Sequence, residues 1–408
     1  PFSTLGWPNK DSEDLKYFYP TNTLVTGYDI IFFWVSRMIF SGIEHMGKVP
    51  FDTVFIHGIV RDELGRKMSK SLGNGIDPLE VIDQYGADAL RYTLATGSSA
   101  GNDTRYSDEK VKASRNFNNK LWNAARFIQM NLDGELADGL PEKLELEDKW
   151  ILSTLNNVIK SATENIEGYD LGLAAQKAND FIWDCICDKY IEIVKLRLNS
   201  EDKEVKDNAR RVLVYVMKEA LKLLHPFMPF ITEEIWQTLP HDGESIMISQ
   251  FPKYDEKLDF TDDYKSFEKV ATAIKAIRAR RCEMNVAPSK KAAIHIVSPI
   301  GDVFNTSSAI IAKLASGSEV QIVDKCEIDN AVNIVSEDAK IYIPLGELVD
   351  IEKEKAKDDF LDLCRTATDE GNEKERIHNM IDEEIKKLQP NYKHIAAIKL
   401  LKSIKEKI

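Results

Sequence analysis

The sequence lacks any apolar run long enough to cross a membrane. Its longest run, Ile30–Phe40, is interrupted by Ser36 and Arg37 and falls well short of the roughly 20 residues that span a bilayer. The chain also does not open with the charged, apolar and small-residue regions of an export signal. We therefore expect a cytoplasmic protein with no membrane partner, in which Ile30–Phe40 forms a buried helix.

Cysteine is scarce, with five residues in 408. The odd number does not suit a disulfide framework, and Cys185 and Cys187 would lie on different faces of a helix rather than form a ligand pair. The sequence therefore predicts reduced thiols and no metal site.

Positive charge is also in deficit, since the formal net charge is -13. This balance argues against indiscriminate binding to polyanions, although a local basic stretch can still dominate the field at one surface. Hydrophobic residues make up 43% and charged residues 30% of the chain, a composition typical of globular proteins. A chain of 408 residues is too long for one ordinary core, so several domains are expected.

The hydrophobic pattern divides the chain into four parts. Residues 1–107 show an α/β pattern, with a helix from about Asp29, a strand from Thr53 to Val60, and a helix capped by Asp77 with Pro78 at its first position. Helical stripes then predict a bundle over residues 108–259, including a short helix opened by Thr232. A helix and short strands predict a small α/β module over 260–350, and a charged helical tail follows over 351–408. The predicted fold class is thus α/β followed by mainly α.

The stretch from His57 to Asn74 carries the chemistry. It leads from a strand into a turn that presents Lys67, Ser69, Lys70 and Ser71, followed by Gly73 and a capped helix. Lysines act as movable charges, and hydroxyls and turn amides add donors, so such a loop suits a polyphosphate. The glycine spacing is not that of a Walker A loop. The alternative is a solvated surface loop, which is what lysine and serine clusters usually form.

A resemblance separates these alternatives. Lys67-Met68-Ser69-Lys70-Ser71 is identical to the KMSKS signature of class I aminoacyl-tRNA synthetases, and Pro1–Pro8 and Tyr19–Val35 resemble the valyl branch of that family. The resemblance extends over residues 1 to about 355. It implies the second half of a Rossmann-like class I catalytic domain, then a helical anticodon-binding bundle. It also implies ATP-dependent attachment of valine to tRNA(Val) through valyl-adenylate.

The resemblance also implies residue roles. Lys67 and Lys70 would be catalytic, stabilising charge on the ATP phosphates, with Mg²⁺ as the counter-ion of ATP and Met68, Ser69 and Ser71 completing the loop. His57 and Gly58 would contact the adenine, and Gly27 and Asp29 would contact the ribose and the adenylate. Ile30 would contact the apolar side chain of valine. Without the neighbouring motif, Gly27 and Gly58 would be read as turn glycines and His57 as a strand-end histidine.

Two departures from the family limit these expectations. No His-Ile-Gly-His signature occurs in the sequence, so the half-site on the other side of ATP and the inserted editing domain are not represented. The chain alone is expected to bind tRNA without forming valyl-adenylate. Beyond Asp358 the resemblance fades, which leaves the family's terminal coiled coil in question, although Lys393–Ile408 predicts an amphipathic basic helix. The alternative function is a non-catalytic tRNA-binding or regulatory paralogue.

Two basic stretches are candidates for tRNA contacts, since phosphate contacts position RNA without reading its sequence. They lie at Glu109–Arg126 and Lys275–Lys291, and the residues assigned to tRNA are Arg115, Lys120, Arg126, Arg278, Arg281, Lys290 and Lys291. Phe117, Trp122 and Phe127 fall near the apolar stripe, so we expect them in the core rather than as stacking platforms. The protein is expected to be a monomer.

Overall fold

The computed structural model describes residues 2–97, 99–132, 134, 136–328, 330–348 and 381–383. The expected tail helix Lys393–Ile408 lies outside the described residues. The chain forms two compact units, Pro1–Lys269 and Val270–Ile408.

The first unit opens with two parallel strands and the helices around them. Helix α1 spans Glu13–Phe18, strand β1 Thr21–Gly27, helix α2 Ser36–Met46 and strand β2 Phe51–His57. A 3₁₀ turn (Tyr28–Ile30) and a π turn (Ile31–Val35) connect β1 to α2, which confirms a helical segment after Asp29. Because β1 and β2 are parallel and Gly27 is the register partner of His57, both strands end at the same edge.

The predicted burial of the Ile30–Phe40 segment is wrong for this structure. Phe32 is 85% exposed, and Phe33, Trp34 and Phe40 are each more than half exposed, whereas Val35 is buried. A helical segment that is apolar on all sides is fully buried only if neighbouring elements cover every side of it. The described neighbours cover the side of Val35 and Gly42.

The predicted strand from Thr53 to Val60 is two strands rather than one. After β2, strand β3 (Val60–Arg61) pairs in parallel with β4 (Thr104–Arg105). Between them lie α3 (Pro78–Tyr85) and α4 (Ala87–Gly97). The predicted cap is confirmed, because the Asp77 side chain accepts a hydrogen bond from the Leu79 amide at 2.8 Å.

The helical bundle is confirmed. It contains α5 (Asp108–Met130), α6 (Leu146–Glu167), α7 (Leu171–Asp180), a π-helical segment (Phe181–Tyr190), α8 (Ile191–Leu198), α9 (Lys203–Leu224) and α10 (Pro229–Trp236). Each long helix buries one stripe, as Val111, Phe117 and Leu121 show on α5. The last short helix begins at Pro229 rather than at Thr232. Proline suits the first helical position because its nitrogen carries no hydrogen that would need an acceptor.

Helix α11 spans Thr261–Glu283 and runs from the first unit into the second. The second unit contains β5 (Ala292–Val297), α12 (Gly301–Thr306), α13 (Ser308–Leu314), β6 (Gly317–Ile322), β7 (Ala331–Ser336), β8 (Ala339–Pro344) and α14 (Leu345–Leu348). The strands form one mixed sheet in the order β6-β5-β8-β7. The short strands that the sequence predicted over residues 260–350 are present in this sheet. None of the helices in the described ranges is long and apolar enough to span a membrane.

Candidate nucleotide site and nucleic-acid interface

The ends of β1 and β2 bring together three residues that the sequence analysis singled out. A Cβ atom added at Gly27 would lie 2.9 Å from Asp29 Oδ1 and 3.6 Å from His57 Cε1. A side chain at position 27 would therefore collide with the carboxylate that follows the strand. Glycine at this strand end leaves room for the side chains of Asp29 and His57.

Gly58 is required by a close approach of the backbone. A Cβ atom here would lie 1.8 Å from the Asn102 carbonyl oxygen, a distance that no real contact reaches. The neighbouring His57 Nδ1 lies 2.7 Å from the Gly58 carbonyl oxygen, which it can bond only as a donor, so its Nε2 carries no proton when the ring is neutral.

Asp103 links several residues at this strand edge through hydrogen bonds, and the sequence did not indicate this role. Its carboxylate accepts hydrogen bonds from the Ile59 amide at 2.8 Å, Arg61 Nε at 2.5 Å and the Tyr28 hydroxyl at 3.2 Å. The Ile59 amide, followed by Arg61 and Tyr28, holds the pKa of Asp103 below its usual range. No local pattern could have indicated this role, because the partners of Asp103 lie more than 40 residues away in the chain.

Asp62 fixes the turn that precedes the Lys67–Ser71 loop. Its carboxylate accepts from the Arg66 amide at 2.7 Å, from Arg66 Nε at 2.8 Å and from Asn74 Nδ2 at 2.9 Å. The hydrogen bond from Asn74 is the largest cause of a lowered pKa of Asp62, to about 2, against the opposing effect of burial. The turn is therefore held by an ionised carboxylate across the physiological range.

Asn74 closes the far side of the same loop. Its Oδ1 accepts from the Ser69 amide at 3.0 Å, and its Nδ2 also donates to the Lys67 carbonyl oxygen at 3.3 Å. Within the loop, the hydroxyls of Ser69 and Ser71 lie 3.1 Å apart, and Ser69 Oγ accepts from the Leu72 amide at 3.3 Å. The two serines therefore make hydrogen bonds within the loop and help to set its conformation.

The loop reaches the strand ends through Lys67. Its Nζ lies 3.0 Å from Asp29 Oδ2, so the lysine motif and the Gly27–Asp29 edge form one site. Lys70 is exposed at the tip of the loop and Met68 is partly buried. Ile30 follows Asp29 and is 39% exposed. No group of three or more His, Cys, Asp or Glu side chains in the described part of the chain could hold a metal ion.

Helix α5 presents a polar outer face. Arg115, Trp122 and Arg126 are exposed at helical spacing, and the exposed amides Asn116, Asn119 and Asn123 lie between them. The prediction that Trp122 belongs to the core is wrong, since the side chain is 42% exposed, whereas Phe117 at 2% is buried as expected. The indole lies one position beyond the edge of the apolar stripe, and at 100° per residue that single position decides burial.

Two tRNA assignments meet competing contacts. Lys120 pairs with Asp188 at 2.6 Å and lies over the Trp183 ring, 3.7 Å from its centroid. Arg281 is 6% exposed, and its guanidinium donates to the carbonyl oxygens of Ala287 and Lys290. Burial lowers the pKa of Arg281. The expectation of an exposed arginine at position 281 is therefore wrong: the side chain closes the turn after α11.

The other residues of the second basic stretch are accessible. Arg278 and Lys291 are exposed and Lys290 is half-buried. Arg278 lies on α11, and the two lysines directly precede β5.

Helix α4 contacts the bundle through two charged side chains. Asp88 is 5% exposed and accepts from the amides of Phe230 and Ile231 at 3.3 and 2.6 Å, at the start of α10. Arg91 donates to the carbonyl oxygens of Pro226 and Phe227 at 3.2 and 3.3 Å, just after the end of α9. A carboxylate near the start of a helix and a guanidinium near its end each interact favourably with the partial charge of the helix dipole there.

Comparison with known proteins agrees with this arrangement. The model of tRNA synthetases class I (I, L, M and V) matches residues 1–107, and that of the anticodon-binding domain of tRNA ligase matches residues 148–296. The chain is 55% identical over 360 residues to valine--tRNA ligase of Clostridium perfringens and 53% identical over 360 residues to that of Clostridium acetobutylicum. Identity to the Bacillus cereus protein is 48% over 364 residues.

These alignments cover 87 to 88% of this chain and 41% of each relative. The chain therefore spans about two fifths of the length of the relatives it matches. Two family models, lying in the expected order on the chain, and this level of identity agree with the Lys67–Ser71 motif and the strand-end geometry. This chain belongs to the class I aminoacyl-tRNA synthetase family.

Proposed function

We propose that this chain supplies the Lys67–Ser71 side of the ATP site and the tRNA-binding part of a valine--tRNA ligase. The reaction joins valine to tRNA(Val) through valyl-adenylate. The observation that carries the proposal is the 3.0 Å contact between Lys67 Nζ and Asp29 Oδ2, because it joins the lysine motif to the strand ends. The relatives named valine--tRNA ligase support valine as the amino acid.

Lys67 and Lys70 have different roles at the ATP phosphates in this proposal. Asp29 balances the charge of Lys67, which keeps that ammonium at the strand ends, where His57 and Gly58 face the adenine in this proposal. Lys70 is exposed and makes no side-chain hydrogen bond or ion pair within the described part of the chain, so it is available to the phosphates. Its charge stabilises the departing pyrophosphate, a contribution worth about 3 to 4 kcal/mol for one well-placed group. Mg²⁺ arrives as the counter-ion of ATP.

Amino-acid recognition is assigned to the residues after β1. Gly27 and Asp29 face the ribose and the adenylate, and Ile30 offers an apolar contact to a branched aliphatic side chain. Such a contact discriminates neighbouring aliphatic substrates by only about 1 to 3 kcal/mol per methylene.

The tRNA contacts are assigned to the outer face of α5. Arg115 and Arg126 supply phosphate contacts, and the exposed Trp122 between them offers a ring on which an unpaired base stacks. Lys120 contributes less, because Asp188 already balances its charge. On the second unit we retain Arg278, Lys290 and Lys291 as phosphate ligands.

We propose for the parts of the chain the division that was expected from the sequence. The nucleotide part is 1–107, the bundle 108–259, the α/β module 260–350 and the tail 351–408, and the first two parts lie in the unit that ends at Lys269. The protein acts as a cytoplasmic monomer in this proposal.

Filter binding of tRNA(Val) by the 408-residue chain over a salt series tests the proposal. Log affinity should fall by about 0.7 to 0.9 per phosphate neutralised for each tenfold rise in salt. Arg115→Ala with Arg126→Ala should weaken binding and reduce that slope by roughly 1.4 to 1.8. The matched control removes two exposed lysines elsewhere in the first unit, Lys203→Ala with Lys257→Ala. Binding that ignores salt, or a slope that changes equally in both double variants, would contradict the assignment of α5.

A further inference from the structure

The sheet of the second unit is covered by helices on one face. Phe304 of α12 and Ile310 and Ile311 of α13 are buried, and both helices contact the sheet at β6. The strand residues that face them, such as Ile296 and Ile341, are also buried. On the opposite face, which we call the open face, Gln321, Asn333 and Lys340 are exposed. At its end, α14 contacts the strands through Glu347, whose carboxylate accepts from the Ala293 amide at 2.6 Å.

Strand register aligns four side chains in a row across that open face. Gln321 on β6 lies beside His295 on β5, His295 lies opposite Tyr342 on β8, and Tyr342 lies opposite Asn333 on β7. We call these four residues the sheet-face row. Gln321 and Asn333 are exposed and the two rings are half-buried. Three strand spacings make the row about 14 Å wide.

The chemistry of the sheet-face row fits nucleobases. Two flat rings lie side by side at its centre, and an amide at each end offers both a donor and an acceptor to a base edge. A four-stranded sheet with central aromatic side chains is a recurrent way of binding unpaired RNA, in which the bases stack on the rings.

The charge around the row also suits a polyanion. Lys340 lies two residues from Tyr342 on the same face of β8, and the adjacent Lys290 and Lys291 lead into β5. Glu319 lies on the same face, on β6 at the edge of the sheet, and Glu347 lies at the end of the face, where it accepts from the Ala293 amide. The phosphates of a bound strand therefore have cations on two sides of the rings.

We propose that the sheet-face row is a second RNA-contact surface, which stacks unpaired bases of a tRNA loop on His295 and Tyr342. The inference rests on the proposed function, because that function brings tRNA to the chain. It differs from the α5 assignment in its chemistry, since stacking provides most of the affinity here and phosphate contacts provide most of it there.

The test uses the 408-residue chain, tRNA(Val) and its 4-thiouridine-substituted form. Tyr342→Ala should weaken binding at least fivefold, the lower end of the effect of removing one stacking ring. Tyr342→Phe keeps the ring and should bind within twofold of the parent chain. The control Lys313→Ala removes an exposed charge on α13, on the other side of the sheet, and should leave affinity unchanged. Ultraviolet cross-links should map to the peptides of β5 or β8.

The outcomes separate the two proposals. A salt slope that stays constant while Tyr342→Ala weakens binding would support stacking on the row. Unchanged affinity of Tyr342→Ala, or cross-links confined to α5, would overturn the row and leave the proposed function standing. Loss of self-association in the same variant would identify a second copy of the chain as the occupant and overturn RNA binding there. A parent chain that binds no tRNA would overturn the proposed function and this inference together.

Discussion

Replacing Asn74 by alanine should loosen the Lys67–Ser71 loop without unfolding the protein. The amide of Asn74 accepts from the Ser69 amide at 3.0 Å and donates to the Lys67 carbonyl oxygen at 3.3 Å. It also donates to Asp62 at 2.9 Å. Alanine removes all three bonds, and because Asn74 is only partly buried, water can reach part of the groups left behind.

The magnitude follows from these contacts. Each of the two bonds to backbone groups contributes about 1 kcal/mol net, since water replaces part of it. Their loss lowers the local opening free energy of the loop by about 2 kcal/mol, and this corresponds to roughly 30-fold faster amide exchange at Ser69. Asp62 loses the largest cause of its lowered pKa, so its pKa should rise from about 2 towards the ordinary value.

Hydrogen exchange of the loop peptide, together with a carboxyl titration of Asp62 by nuclear magnetic resonance, measures both effects. A lowered carboxyl pKa means that the stabilisation from Asp62 is complete above its ordinary pKa and is lost as pH falls through about 2. In the variant the folded-state pKa lies closer to the ordinary value, so this pH-dependent stabilisation should be smaller and its loss should be complete at a higher pH. Asn157→Ala, an exposed position on α6, is the control. Loop exchange equal to that of the parent chain would refute this account of Asn74.

Three further changes have distinct signatures. Gly58→Ala should lower the free energy of unfolding by about 3 kcal/mol in urea titrations, because its Cβ would lie 1.8 Å from the Asn102 oxygen; a loss below 1 kcal/mol would contradict the close approach. Arg197→Met should cost about 3 to 5 kcal/mol, since it strands the carboxylate of Asp148, which is 0% exposed and accepts from Arg197 Nη1 at 2.7 Å; adding Asp148→Asn should restore part of that loss. In a protein with both halves of the ATP site, Lys70→Ala should slow valine-dependent ATP–pyrophosphate exchange by about two to three orders of magnitude, and an unchanged rate would remove Lys70 from the mechanism.

The sequence by itself determined the features that depend on near neighbours. The helical stripes of the bundle and the Asp77 cap follow from side chains within one or two turns of each other, so periodicity and capping chemistry suffice to predict them. The Lys67–Ser71 motif is likewise continuous in sequence. Its resemblance to a family signature pointed to the function before any distance was known.

Only the tertiary structure decided the partners that lie far apart in the chain. The Ile59 amide meets Asp103 44 residues away, and Asp88 caps a helix 143 residues away, and no local pattern encodes either contact. Exposure was also undetermined, because Trp122 and Arg281 both lie on helices whose periodicity leaves the boundary between faces uncertain by one position. Packing placed Trp122 outside and closed a turn over Arg281, since burial depends on which neighbour covers a face rather than on the helix alone.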